Sequence, residues 1–136
     1  MELLKSLKIA ATGLRVQTGR MRVIAENIAN ADSTAKTSGG DPYRRRIPTF
    51  RAAFDRDVEA QVVKLGPVQL DRGDFDRRYE PGHPAADANG YVRVPNVNPL
   101  IETMDMREAQ RSYEANLNVV TATRRMIQKT LDILKV

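Results

Sequence analysis

The chain has 136 residues, a net charge of +5 and no cysteine. That length suits one domain rather than two, and the missing cysteines exclude a disulfide framework and a thiolate metal site. The excess of base raises nucleic acid or an anionic surface as partners.

Where the charge sits weakens that idea. Residues 1–30 hold five basic and two acidic residues, residues 31–100 eleven and ten, and residues 101–136 six and five. Such interleaving reads as a solvated mixed-charge surface rather than a phosphate track. No apolar run approaches the roughly 18 residues of a membrane span. Lys5, Lys8, Arg15 and Arg20 interrupt the first apolar stretch, and no small-residue cleavage site follows it. The sequence therefore predicts no membrane insertion and no cleavable signal peptide.

The first segment, residues 1–30, lacks proline and carries Leu3, Leu7, Ala10, Leu14, Gln17, Met21, Ile24 and Ile28 at alternating spacings of four and three. This is a heptad seam on a long helix, roughly 40 Å at 1.5 Å per residue. Gly13 and Gly19 interrupt it. Each costs about 1 kcal/mol against alanine, so their presence predicts a close neighbour or a helix that forms only when packed.

Residues 31–100 contain every proline and six of the eight glycines. Asp41-Pro42, Gly66-Pro67, Glu80-Pro81-Gly82 and Asn89-Gly90 are turn signals. Short strand-like runs lie between them at Arg46–Phe50, Gln61–Leu65, Val68–Leu70 and Tyr91–Val94. The Asn-Gly pair favours a tight turn entering the last of these. Ser38-Gly39-Gly40 and Ala85–Asn89 read as mobile loops, and Ser33–Asp41 as a tolerant connector with nothing to bury.

From residue 101 to the end the chain has no Gly or Pro, and Met106, Tyr113, Val120, Ile127 and Leu134 recur every seven residues. Leu117 and Leu131 add to this stripe, and Val119, Met126 and Ile133 widen it. Pro99 suits a first helical turn, and Glu102 and Asp105 suit the positive end of the dipole. The predicted fold is mainly α with a small β insert: two long amphipathic terminal helices packed as a coiled-coil-like pair, with a short β module between them. One helix covers only part of the other's stripe, and the remainder marks a protein-interaction surface.

Candidate chemistry is sparse. His83, the one histidine, lies in the turn Pro81-Gly82-His83-Pro84. A single His without Cys is a poor zinc site. Asp71, Asp74, Asp76 and Glu80 interleave with Arg72, Arg77 and Arg78, which favours exposed ion pairing over a buried acid–base couple. No second His supports a nucleophile relay, and Gly39-Gly40 lacks the Lys of a phosphate loop. No catalytic, cofactor-binding or metal residue is predicted. Arg44-Arg45-Arg46 after Tyr43 could meet phosphate, which keeps a basic helical nucleic-acid-binding protein as the alternative reading. Lys8, Arg15 and Arg22 lie seven apart beside the first seam, where flanking charges choose a helical partner.

Two blocks carry a resemblance. Ala25-Glu26-Asn27-Ile28-Ala29-Asn30-Ala31-Asp32 resembles the Asn-Ile-Ala-Asn signature of the flagellar axial proteins, the rod, hook and hook-associated subunits. Tyr79 to Asp87, the run Gly90 to Pro99 through Asn96-Val97-Asn98-Pro99, and Met104 to Asn116 look like the proximal rod members of that family. The resemblance extends to the closing Gln128–Ile133 and so covers the whole chain. The connection from Ser33 to Asp41 is longer than in many relatives.

The resemblance implies a non-enzymatic structural subunit of the periplasmic rod of the basal body, passed through the flagellar export apparatus. It would assemble with copies of itself and with other proximal and distal rod proteins, without nucleic acid or a small-molecule substrate. Asn27, Asn30 and the helix stripes would then form the assembly interface.

Overall fold

The structure, a computed structural model, describes residues 2–135. Helix α1 spans Glu2–Ala29 and helix α2 spans Pro99–Leu134. Between them lie six short strands: β1 Arg46–Ile47, β2 Phe50–Asp55, β3 Ala60–Leu65, β4 Gln69–Leu70, β5 Asp76–Tyr79 and β6 Tyr91–Val94. They pair antiparallel as β1 with β4, β2 with β3 and β5 with β6. The fold is the expected one, two long helices flanking a small β module.

The chain divides into two compact units, each drawing on both helices. The first holds α1 up to Met21, the segment Pro48–Pro67 and α2 from Arg107. The second holds Arg22–Ile47 and Val68–Met106.

In the first unit the helices run antiparallel, with Gly13 against Asn116 and Arg20 3.5 Å from Glu108. The β2–β3 hairpin packs on α1 as well, through Lys8–Asp55 and a contact of Leu65 with Gly19. Ala10, Val16, Val62, Ala109 and Thr123 are buried here. Both helix glycines thus have close neighbours. A Cβ on Gly13 would stand 2.7 Å from Asn116 Oδ1, and one on Gly19 would meet the Leu65 methyls. Absence of a side chain lets α1 be approached from two directions, which offsets the propensity it costs the helix.

The packed face of α2 is a single heptad pattern. Glu102, Ala109 and Thr123 are buried, and Met106, Tyr113, Asn116, Val120 and Ile127 are half-buried, at alternating spacings of four and three. Met106, Tyr113, Val120 and Ile127 are the expected column. The companion column is Glu102, Ala109, Asn116 and Thr123, not Leu117 and Leu131, which are exposed. Small and polar residues fill it because close helix approach leaves no room for leucine.

The second unit is built on turns. β6 enters from Gly90, whose φ of +83° is open to glycine, and a Cβ there would lie 2.9 Å from the Tyr79 ring. The residues read as a mobile loop are instead tied down. Ala85 is buried, and Asp87 Oδ1 accepts from the amides of Asn89 and Tyr91. These bonds, that from Tyr91 first, hold the Asp87 carboxyl below the usual range.

The connector 33–41 is likewise held. Arg93 donates to the carbonyls of Gly39 and Gly40 and pairs with Asp41 at 3.0 Å. Strand β5, Asp-Arg-Arg-Tyr, has no apolar alternation and is absent from the sequence reading. Pairing with β6 in the register Tyr79↔Tyr91 and Asp76↔Val94 makes it. The two tyrosine rings meet edge to face at 5.3 Å.

Candidate functional site: a polar knot and an uncovered helix face

The second unit encloses a polar knot. Asn27, fully buried near the end of α1, uses all its hydrogen-bonding capacity. Its Nδ2 donates to Arg46 O (2.8 Å) and Glu102 Oε2 (3.2 Å). Its Oδ1 accepts from Tyr43 Oη (2.7 Å) and the Arg46 amide (3.0 Å). Burial, above all, raises the Tyr43 pKa, so the phenol stays a donor at neutral pH.

Glu102, 1% exposed in the first turn of α2, receives Arg45 Nε on its other oxygen. Arg45 also lies 3.5 Å from Asp71 and 3.8 Å from Asp105. Burial works against its charge, but the Glu102 and Asp71 carboxylates outweigh that and raise its pKa.

The Asn-Val-Asn-Pro block completes the knot. Asn96 Oδ1 accepts from the Arg45 amide, and its Nδ2 donates to the carbonyls of Asp71 and Gly73. Val97 is buried, and Asn98 Oδ1 caps α2 by accepting from the amides of Leu100 and Ile101. Pro99 takes the first helical position, where its missing N–H costs nothing. At the end of α1, Asn30 Nδ2 donates back to Glu26 O and Asn30 O accepts from Ser33. Both asparagines of the Asn-Ile-Ala-Asn block therefore do internal work, one in the knot and one in the helix terminus.

The arginine run is consumed in the same unit. Arg44 donates to Asp71 O and Gly73 O and stacks over Phe75, Arg45 lies in the knot, and Arg46 pairs with Glu26 at 2.9 Å. His83 staples a turn: Nδ1 accepts from the Ala85 amide, and Nε2 meets the Thr34 hydroxyl at 3.1 Å. No group of His, Asp and Glu suited to a metal occurs among the described residues, and no described helix is long and apolar enough to cross a membrane.

The residues expected at an assembly interface fall into three groups. Ile24, Asn27, Met106, Tyr113, Val120 and Ile127 lie in packed positions of their own units. Leu3, Leu7, Leu14 and Met21 are half-buried, and so is Asn30. Ile28, Leu117, Leu131 and Leu134 are exposed. Of the charged row, Lys8 pairs with Asp55 at 3.9 Å, while Arg15 and Arg22 are exposed.

A second row of α2 is uncovered along its length. Ala115, Val119, Ala122, Met126 and Ile133 are all exposed, Met126 at 52% and Ile133 at 73%. The row keeps heptad spacing and lies about 100° around the helix from the packed one. A polar face would be expected there in a helix with no further partner.

Comparison with known proteins places the chain in a class and then in a family. Residues 88–133 match the model of the flagellar basal body rod FlgEFG protein C-terminal region. A flagellar basal-body rod protein FlgC of Agrobacterium fabrum is 54% identical, covering 94% of this chain and 92% of its own. Proteins of that name from Bacillus subtilis and Salmonella typhimurium are each 38% identical, over 96% and 98% of this chain and 97% and 98% of their own. The chain belongs to the FlgC family of flagellar basal-body rod proteins.

Proposed function

We propose that the chain is a structural subunit of the flagellar basal-body rod. It joins other rod proteins and copies of itself in the proximal rod, encloses the export channel and transmits torque. Near-complete coverage by rod proteins of the FlgC family supports this reading. The uncovered heptad row supports it physically, because an apolar stripe of that length implies a partner.

The chain performs no catalysis in this reading. The terminal helices, residues 1–30 and 101–136, form the assembly core, and residues 31–100 a β-rich insert. The stripe residues Leu3, Leu7, Leu14, Met21, Ile28, Leu117, Leu131 and Leu134 carry contacts between subunits, with Lys8, Arg15 and Arg22 selecting the neighbour. The subunit reaches the periplasm through the flagellar export apparatus.

Each member of the arginine run, the main support for nucleic acid, has a partner inside the chain. The test is to isolate basal bodies from cells expressing only Met126→Ser or the wild-type chain. Wild type is expected in the rod fraction with motility, and Met126→Ser to be expressed yet absent from it. Steeply salt-dependent DNA binding by the purified chain, with none of it in basal bodies, would overturn the reading.

A further inference from the structure

The β2–β3 hairpin leaves much of its apolar side uncovered: of that side, Leu65 meets Gly19 of α1, while Phe50, Phe54 and Val63 stay exposed. Ala53 and Val62 are directly paired and face inward, Val62 at 1% exposure. Phe50, Phe54 and Val63 point the other way, with Phe54 58% exposed. A two-stranded hairpin ordinarily hides its aromatics against whatever it packs on.

Its tip is unusual too. The turn Asp55-Arg56-Asp57-Val58-Glu59 is acidic, and Glu59 holds φ at +49°, a conformation that favours Gly or Asn. A charged side chain kept at a strained position calls for a reason outside the turn.

The uncovered row of α2 has the opposite sign along one side. Lys129 fills the row's own position between Met126 and Ile133, Arg111 and Arg125 lie on one side of it, and all three cations are exposed. Among the described residues, neither they nor Asp57 and Glu59 make an ion pair within the chain. One chain therefore presents an apolar face with an acidic end and an apolar row with a basic edge.

We infer that the hairpin face of one subunit docks on the uncovered α2 row of a second copy of this chain. Phe54 sits against Met126, and Asp57 and Glu59 reach Arg125 and Lys129. The two surfaces differ, so the contact is heterologous and leaves each subunit with one free surface of each kind, as stacking requires. Apolar burial supplies affinity, and the charges fix direction and register. The inference rests on the rod-subunit reading.

The chain has no cysteine, which makes a cross-linking test clean. Two full-length forms, Glu59→Cys and Arg125→Cys, are co-expressed in cells lacking the wild-type chain, and intact basal bodies are oxidised. A disulfide-linked dimer of the chain is expected only when both forms are present. It should be lost when Phe54→Ser is added to the first form, and regained in a charge-swapped pair (Asp57→Arg with Lys129→Glu) after loss in either single reversal.

Both forms in motile basal bodies without the dimer, or an adduct with a different rod protein instead, would overturn the docking. Absence of both forms from basal bodies whose rods are otherwise complete would overturn the rod reading itself.

Discussion

The first turns of α2 and its C-terminal half put the same helix to opposite uses. Around Glu102 the helix buries a carboxylate and satisfies it with Asn27 and Arg45. Beyond Ala115 it leaves Val119, Met126 and Ile133 in solvent. A buried polar group must find its partners, and here all of them come from the chain itself. An exposed apolar row has no such constraint and can wait for a second chain. The knot is thus completed by folding, and the row is left open for the assembly contact proposed above.

The sharpest break in that contrast is charge placed in the knot. Asn27→Asp keeps the shape but sets a second carboxylate against Glu102 and deletes both Nδ2 donors. We expect a loss of about 3–5 kcal/mol, as for an uncompensated buried charge, read by urea melting of the purified chain. Asn27→Ala should cost less, about 2–3 kcal/mol, because it strands the Tyr43 hydroxyl and the Arg46 backbone without adding charge. Equal stability of Asn27→Asp and wild type would mean that the knot is wetter than the structure shows.

On the other side of the comparison, Met126→Ser or Val119→Ser should change the stability of the free chain by no more than about 0.5 kcal/mol while abolishing motility. A large loss of stability in the free chain would place those residues in an internal core.

His83→Ala should be mild, about 1 kcal/mol, because it removes one turn staple that is partly open to solvent. A non-motile variant with an intact rod would instead give His83 a chemical role.

The smallest effect concerns pH. The Asp87 carboxyl is held below its ordinary range, so its contribution is present above the unfolded value of about 3.9 and is lost only as pH falls through the lower folded value. Protection of the Tyr91 amide, relative to its intrinsic exchange rate, should fall on acidification below about pH 4, and Asp87→Asn should flatten that response.

Periodicity made the helices legible. A heptad column of Met106, Tyr113, Val120 and Ile127 can be read without any structure, and so can the turn at Asn89-Gly90. The companion column could not, because Glu102, Ala109, Asn116 and Thr123 look like surface residues. The knot was equally hidden, since Asn27 and Glu102 are 75 residues apart and hydrogen bonds leave no period in the sequence. Glu102 did carry one available signal: it lies seven residues before Ala109, on the line of the packed column. Strand β5 exists through its pairing with β6, which residue types such as Asp-Arg-Arg-Tyr do not announce. The connector 33–41 reads as featureless because its partners are distant in sequence: Arg93 holds the Gly39 and Gly40 carbonyls and Asp41, and His83 meets Thr34.

Hydrogen exchange on the dilute, verified monomer tests the central claim most directly, because it compares the two regions in one sample. The account predicts slow exchange around the knot, in residues 24–29 and 102–106, and fast exchange in α2 from 119 to 134, where apolar burial is thin. Protection of residues 119–134 equal to that of the knot would contradict it, for the row would then be stable without a partner.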